Sequence, residues 1–367
     1  MYTPLKNNKL KVFYYFSIFI THFFSVLFLN TVNAAEYATK TTADGLGSNY
    51  LYDVYVKNGI IYASTSSGLS ISTDGGNTFT TKTTANGLGS NEITGVYVDN
   101  GIIYVTTYGG GFDSGLSIST DGGNTFVTKG FAEGLLSDWT YGVYVDSGTI
   151  YVATRNGLSI STDGGNSFTT KYTDDGLGDD IVYEVYVDNG IIYAATDYGL
   201  STSTDNGSTF TTKHNLAGLG KNWVQGVHVD SGAIYVATRN GLSISTDGGN
   251  IFITKTATDG LGDDVVNKVY VDNGIIYAAT NDGISISTDG GDTFTNKNYA
   301  DGLGWGIAHR VQVENGIIYV AIWDSFGGLS ISPPPVSPPP PPSPTSASIG
   351  LNTKKQPIFF SRERIFK

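Results

Sequence analysis

Valine and tyrosine alternate in short runs along this chain, as in Val54-Tyr55-Val56. An Asn-Gly or Ser-Gly pair follows each run, and then a second apolar run such as Ile60-Ile61-Tyr62-Ala63. Period-two alternation bounded by Gly and Asn predicts β-strands joined by tight hairpins. A glycine opens a third run, Leu69-Ser70-Ile71-Ser72. The polar stretch Ser72-Thr73-Asp74-Gly75-Gly76-Asn77-Thr78-Phe79 then turns into a fourth, Thr80-Thr81-Lys82-Thr83. No stretch carries helical periodicity.

The four-strand unit is copied. Its landmark valine falls at Val54, Val96, Val143, Val185, Val227, Val269 and Val311, at steps of 42 residues with one step of 47. The long step holds an insertion around Tyr108-Gly109-Gly110-Gly111-Phe112-Asp113. Seven repeats of four strands predict an all-β, seven-bladed β-propeller. The seventh copy stops after its third strand at Ile331-Ser332. The missing fourth strand is at the other end, where Tyr37-Ala38-Thr39-Lys40-Thr41-Thr42 aligns with Phe79-Thr80-Thr81-Lys82-Thr83-Thr84. The N-terminal strand is therefore expected to complete the last blade and close the ring, which removes exposed blade ends.

The flanks differ from the repeats. Residues 1–34 read as a signal peptide: Lys6, Lys9 and Lys11 precede an apolar run from Val12 to Leu29, and Val32-Asn33-Ala34 places small residues around a cleavage point. The run is also long enough for an uncleaved signal anchor. Residues 333–344 form a polyproline linker and 345–367 a disordered basic tail, leaving 35–332 as the propeller. The tail has no apolar stretch of membrane-spanning length. These features predict a secreted or periplasmic protein, extracytoplasmic and without membrane insertion once the leader is cleaved.

Composition narrows the chemistry. The chain has 367 residues, 48 of them Gly, and no Cys, which excludes disulfides and thiolate metal sites. The formal charge is −12, but residues 35–332 carry 13 basic and 32 acidic side chains, a net of −19. Such a body repels phosphate backbones, so nucleic acid is not an expected partner. The acid groups Asp174-Asp175 with Asp179-Asp180, and Asp259 with Asp263-Asp264, lack the spacing of a calcium loop and read as a solvated rim. No metal and no cofactor is predicted.

The pattern Ser-Xaa-Asp-Xaa-Gly-Xaa-Thr-Phe stands at 72–79, 119–126, 203–210 and 287–294. Ser167 replaces Thr in 161–168, and Ile251 replaces it in 245–252. This box resembles the Asp-box, the bacterial neuraminidase repeat of the sialidase-like superfamily, which also includes sorting-receptor ectodomains and photosystem assembly factors. The Gly-Leu-Gly followed by a valine strand is similar to the propeller repeats of periplasmic sensor kinases. The resemblance implies fold more than function. Physically the box is a turn: Asp74, Asp121, Asp163, Asp205, Asp247 and Asp289 accept backbone N–H bonds, Gly76 and its equivalents take positive φ, and the Phe anchors the turn. Six identical carboxylates cannot all be one site. The repeated Lys40, Lys82, Lys129, Lys171, Lys213, Lys255 and Lys297 lie on the outer strand, where Lys blocks edge-to-edge pairing.

Differences between copies collect in two connections at one end of the blades, from strand two to three and from strand four to the next strand one. All four tryptophans lie there, with several Arg and Tyr. Trp139, Trp223, Trp305, Trp323, Arg155, Arg239, Tyr198 and Tyr108 are the candidate contacts for a glycan or a protein or peptide ligand. Asp53, Glu184, Lys268 and Arg310 share one repeat position, and ring closure makes Asp53 and Arg310 neighbours, predicting a salt-bridged rim.

A sialidase-like glycoside hydrolase is the enzymatic alternative, because that resemblance implies an arginine triad and a Tyr–Glu pair. Arg155, Arg239 and Arg310 are available, and Tyr183-Glu184 are adjacent. Alternation along a strand, however, points neighbours to opposite faces. The Phe/Tyr-Arg-Ile-Pro motif is missing, and seven copies exceed the six blades of sialidases. His22, His214, His228 and His309 complete no Ser-His-Asp set. The expected function is a non-enzymatic, monomeric binding propeller, with an extracytoplasmic assembly factor or sensor-type propeller as a further alternative.

Overall fold

The computed structural model describes residues 37–109 and 114–335. The leader at 1–34, the insertion residues 110–113, most of the proline segment and the 345–367 tail lie outside the described residues. The described chain forms seven four-stranded antiparallel sheets, the blades of a β-propeller. Blade 1 runs Leu51–Lys57, Ile60–Thr65, Gly68–Ser72 and Thr80–Lys82. Its first hairpin turns on Asn58 and Gly59, both left-handed at φ 53° and 76°, the conformation that a two-residue hairpin requires.

Blade 7 closes as expected. Ala38–Lys40 pairs with Gly328–Ile331 through Ala38↔Ile331, Thr39↔Ser330 and Lys40↔Leu329. That register matches Thr80↔Ile71, Thr81↔Ser70 and Lys82↔Leu69 within blade 1. Even the cross-strand hydroxyl pair recurs, Thr39 to Ser330 at 2.9 Å and Ser70 to Thr81 at 2.8 Å. The core lies between blades: Leu51, Val54, Val56, Ile61 and Ala63 of blade 1 bury themselves against Tyr319, Ala321 and Leu329 of blade 7.

The Ser-Xaa-Asp box is a closed set of hydrogen bonds. Asp74 accepts from Ser72 Oγ (2.8 Å), Thr78 N (3.0 Å) and Thr78 Oγ1 (2.7 Å), while Ser72 Oγ accepts from Gly76 N (2.9 Å). Phe79 is buried beneath the turn. These donors hold the Asp74 carboxyl down at about 2. The repeated Lys side chains of the outer strands reach nearby acids, as in Lys171–Asp175 (3.5 Å) and Lys297–Asp301 (3.3 Å).

Two local features depart from a plain strand reading. Each fourth strand is followed by one turn of 3-10 helix, such as Thr42–Asp44, capped by Thr41 and ended by Gly45 at φ 96°. A Cβ on Gly45 would lie 2.4 Å from the Phe79 carbonyl oxygen, so no other residue fits. The second feature is a bulge in the first strand of every blade, where the register slips between Leu51 and Asp53 in blade 1 and at the matching place in the other six. Among the described residues no helix is long and apolar enough to cross a membrane.

Candidate functional site at the channel mouth

The bulges decide what faces the channel. Normal alternation would send Tyr52 and Asp53 to opposite sides; the extra residue lets both approach the axis. Tyr52, Thr94, Tyr141, Tyr183, Gln225, Asn267 and His309 are the unpaired bulge residues of the seven blades, and all seven line one cavity of about 630 Å³. Tyr183 and Glu184 thus contradict the opposite-face expectation: Tyr183 lines the mouth, and Glu184 the chamber directly beneath it. They do not act as a pair. The Tyr183 hydroxyl donates to Asp197 (3.1 Å), and Glu184 is taken by cations.

The mouth mixes flat apolar rings with amides and a few charges. Tyr52 donates to Glu92, Gln225 bonds Asn267 (2.9 Å), and Asn267 bonds Asn281 (3.2 Å). Arg239 lies 3.3 Å above the Trp223 ring and donates from Nε to Gln225 (2.9 Å). Trp223 also stacks on Tyr183 at 6.0 Å, and its indole Nε1 is buried without a hydrogen-bond partner. His309 stacks on Trp323, and burial holds its imidazole neutral, near 4.

Below the mouth is a charged layer. Arg310 contacts Asp53 (3.3 Å) and Glu184 (2.5 Å), and Lys268 contacts Glu184 (3.3 Å), joining blades 1, 4, 6 and 7. The predicted salt bridge at ring closure is present, and it extends across the channel. Burial opposes ionisation of Glu184, but Lys268 and Arg310 more than offset it and hold its pKa low. Burial outweighs Arg310 at Asp53 and raises it. Blades 2, 3 and 5 carry Gly95, Gly142 and Gly226 at this position. Gly226 leaves room for the ion pair, since a Cβ there would lie 2.8 Å from Glu184 Oε2 and 2.9 Å from Lys268 Cδ and would force those side chains to shift.

The next inward position is an aromatic belt. Tyr55, Tyr97, Tyr144, Tyr186, His228 and Tyr270 follow one another at ring distances of 4.9 to 5.0 Å, with Gln312 completing the circle. Burial pushes the His228 imidazole down to about 4, so it is uncharged near neutral pH. The belt and the charged layer enclose a chamber of about 200 Å³.

The eight candidate contacts separate into different places. Trp223, Arg239 and Tyr108 meet in the mouth cavity. Trp139 and Arg155 stack at 3.9 Å in an outer groove of about 440 Å³ with Leu136 and Asn156, and Trp139 also touches Tyr108. Trp323 backs the mouth, packed on Tyr50, Tyr52 and His309. Trp305 is exposed beside Tyr299, and Tyr198 is exposed beside His214. The acid groups considered for calcium serve the backbone instead, Asp180 accepting from Thr173 N and Asp264 from Ala257 N. Among the described residues no three such side chains stand together as metal ligands.

Sequence reasoning placed the bulge residues inside the variable segments but did not single them out. Their signal was a slip in apolar phase: Leu51 then Val54 and Val56, or Ile93 then Val96 and Val98, shifts parity within one strand.

No protein-family model matches the chain, nor does any curated protein. Solved structures do resemble it. The extracellular domain of BT3049 from B. thetaiotaomicron, described as a hybrid two component system, is 18% identical with a TM-score of 0.67, covering 81% of this chain and 42% of that one. YCF48 from Cyanidioschyzon merolae is 16% identical with a TM-score of 0.61, covering 81% of this chain and 99% of that one. An ancestral GH74 enzyme is 16% identical with a TM-score of 0.58, covering 74% and 43%. The chain spans less than half of the BT3049 domain. At these identities the likeness is one of fold.

Proposed function

We propose that this protein is an extracytoplasmic, non-enzymatic Asp-box propeller that binds a glycan or peptide at its channel mouth. The observation that carries the reading is the cavity of about 630 Å³ built by all seven bulge residues, with Trp223, Tyr108 and Arg239 on its wall. Preformed concave sites with aromatic walls and few fixed polar groups are the usual form of ligand pockets. The repeated hydrogen-bond set of the boxes supports the Asp-box assignment. A related fold, YCF48, is known bound to D1 peptide, and other related folds are extracellular domains. The leader reading of residues 1–34 agrees with export.

Hydrolysis is disfavoured by how the carboxylates are used. Asp53 and Glu184 are both engaged by Arg310, and Glu92 accepts from Tyr52. Most glycosidases need two carboxylates free to act on substrate, and the sialidase alternative needs a Tyr–Glu pair; here the Tyr183 hydroxyl is engaged by Asp197 and Glu184 by Lys268 and Arg310. The experiment is calorimetric titration of the full chain with neutral oligosaccharides and short peptides, repeated on Trp223→Ala and Trp139→Ala. Trp223→Ala should weaken binding at least tenfold, and Trp139→Ala should leave it nearly unchanged. Equal loss in both, or loss only in Trp139→Ala, would move the site out of the mouth.

A further inference from the structure

The mouth and the chamber are not separate rooms. Tyr52, Thr94, Tyr141 and Lys268 are walls of both. Between the two cavities, the charged layer is filled on blades 1, 4, 6 and 7 but carries glycine on the neighbouring blades 2 and 3, at Gly95 and Gly142. Next to these glycines in sequence are Thr94 and Tyr141, and the Thr94 hydroxyl donates to the Thr140 carbonyl of the adjoining blade 3 (2.7 Å). The layer therefore has a notch on one side.

The two glycines differ. A Cβ on Gly95 would come within 2.8 Å of Thr106 Oγ1, so that position is filled by its own blade. A Cβ on Gly142, which lines the chamber, would meet only Tyr183 O at 3.4 Å and Glu184 Cα at 3.9 Å on the neighbouring blade, both ordinary contacts. Gly142 does not have positive φ. Neither backbone conformation nor crowding calls for glycine there.

Building on the mouth reading, we propose that the ligand is read by its end: the terminal residue of a neutral oligosaccharide passes the Gly142 notch into the chamber, while the following residues lie in the mouth. The chamber of about 200 Å³ has room for one pyranose ring. Its walls favour a neutral terminus over a charged one. The two cations, Lys268 and Arg310, are already matched by Asp53 and Glu184, and the belt below is uncharged. An ionised peptide terminus would enter a buried layer with no counter-ion left for it, which is unfavourable. Sugar hydroxyls can exchange hydrogen bonds with tyrosine hydroxyls, Gln312 and the paired charges without adding charge. Tyr141 and Tyr52, which line both cavities, are the kind of aromatic wall that suits the apolar faces of a sugar.

The test uses the full chain and underivatised hexaoses (cellohexaose, maltohexaose and xylohexaose), their polymers, and trialanine with free and with blocked ends. Binding is followed by calorimetry and unfolding by differential scanning. At least one hexaose should bind, and its polymer should bind in proportion to chain ends rather than to mass. Gly142→Leu should lower affinity at least tenfold with the thermal midpoint unchanged, and Gly142→Ala should lower it less. Hexaose binding that survives Gly142→Leu but is lost in Trp223→Ala would overturn end insertion and leave the mouth reading standing. Binding in proportion to polymer mass would overturn it as well. Preference for free trialanine over every hexaose would overturn the saccharide assignment. Absence of binding to any probe would overturn this proposal and the mouth reading together.

Discussion

At Asp74 one carboxylate gathers a serine hydroxyl, a threonine hydroxyl and a backbone amide, and that small set recurs in every complete box. Asp74, Asp121, Asp163, Asp205 and Asp289 are all held at about 2, below an ordinary value of 3.8. A folded pKa below the unfolded one gives stability that is complete above about pH 4 and is lost as pH falls through 2. Calorimetry between pH 5 and 2 should show a falling thermal midpoint, and a flat profile would refute the role given to the boxes. In 245–252, Ile251 offers Asp247 its backbone amide but no hydroxyl. Ile251→Thr should therefore raise the midpoint at neutral pH. Gly226→Ala should act the other way, because its Cβ would displace Glu184 from Lys268. The expected cost is about 1–3 kcal/mol by urea denaturation, typical of overpacking.

At the scale of elements, strands and blades were legible because period two, hairpin glycines and the 42-residue repeat agree. Ring closure was legible too, since Tyr37–Thr42 carries the sequence of a fourth strand. A chain lacking residues 37–41 should unfold at lower urea and form oligomers on size exclusion, because Gly328–Ile331 becomes an open edge. If it remains monomeric and equally stable, that strand is not the closure. The 3-10 turns were missed because three residues have no periodicity; a Thr before Asp-Gly, as at Thr41, Thr173 and Thr256, marked only some of them. The candidate site was legible in part. Aromatic residues on variable connections pointed to the end of the blades where the mouth cavity opens, but Trp139 and Trp223 occupy the same repeat position and still line different cavities. What faces the channel depends on the bulge, and a strict alternation rule sent Tyr183 and Glu184 apart when both line the axis.

For the whole molecule, the seven inter-blade cores fix a ring, and the charged layer ties blades 1, 4, 6 and 7 across its centre. Arg310→Leu would leave Asp53 and Glu184 without their shared partner. It should cost about 3–5 kcal/mol, the usual penalty for unpairing a buried charge. The mouth then stands on a rigid base, with variation confined to one end and the repeated boxes at the other. Ligand held at the channel mouth would shield the backbone there. Hydrogen–deuterium exchange of the full chain, with and without a saturating hexaose, tests it most directly. New protection is expected in the segments around Tyr52, Tyr141, Tyr183 and Trp223, and none in the boxes such as 72–79. Protection centred on the boxes, or none at the mouth, would contradict it.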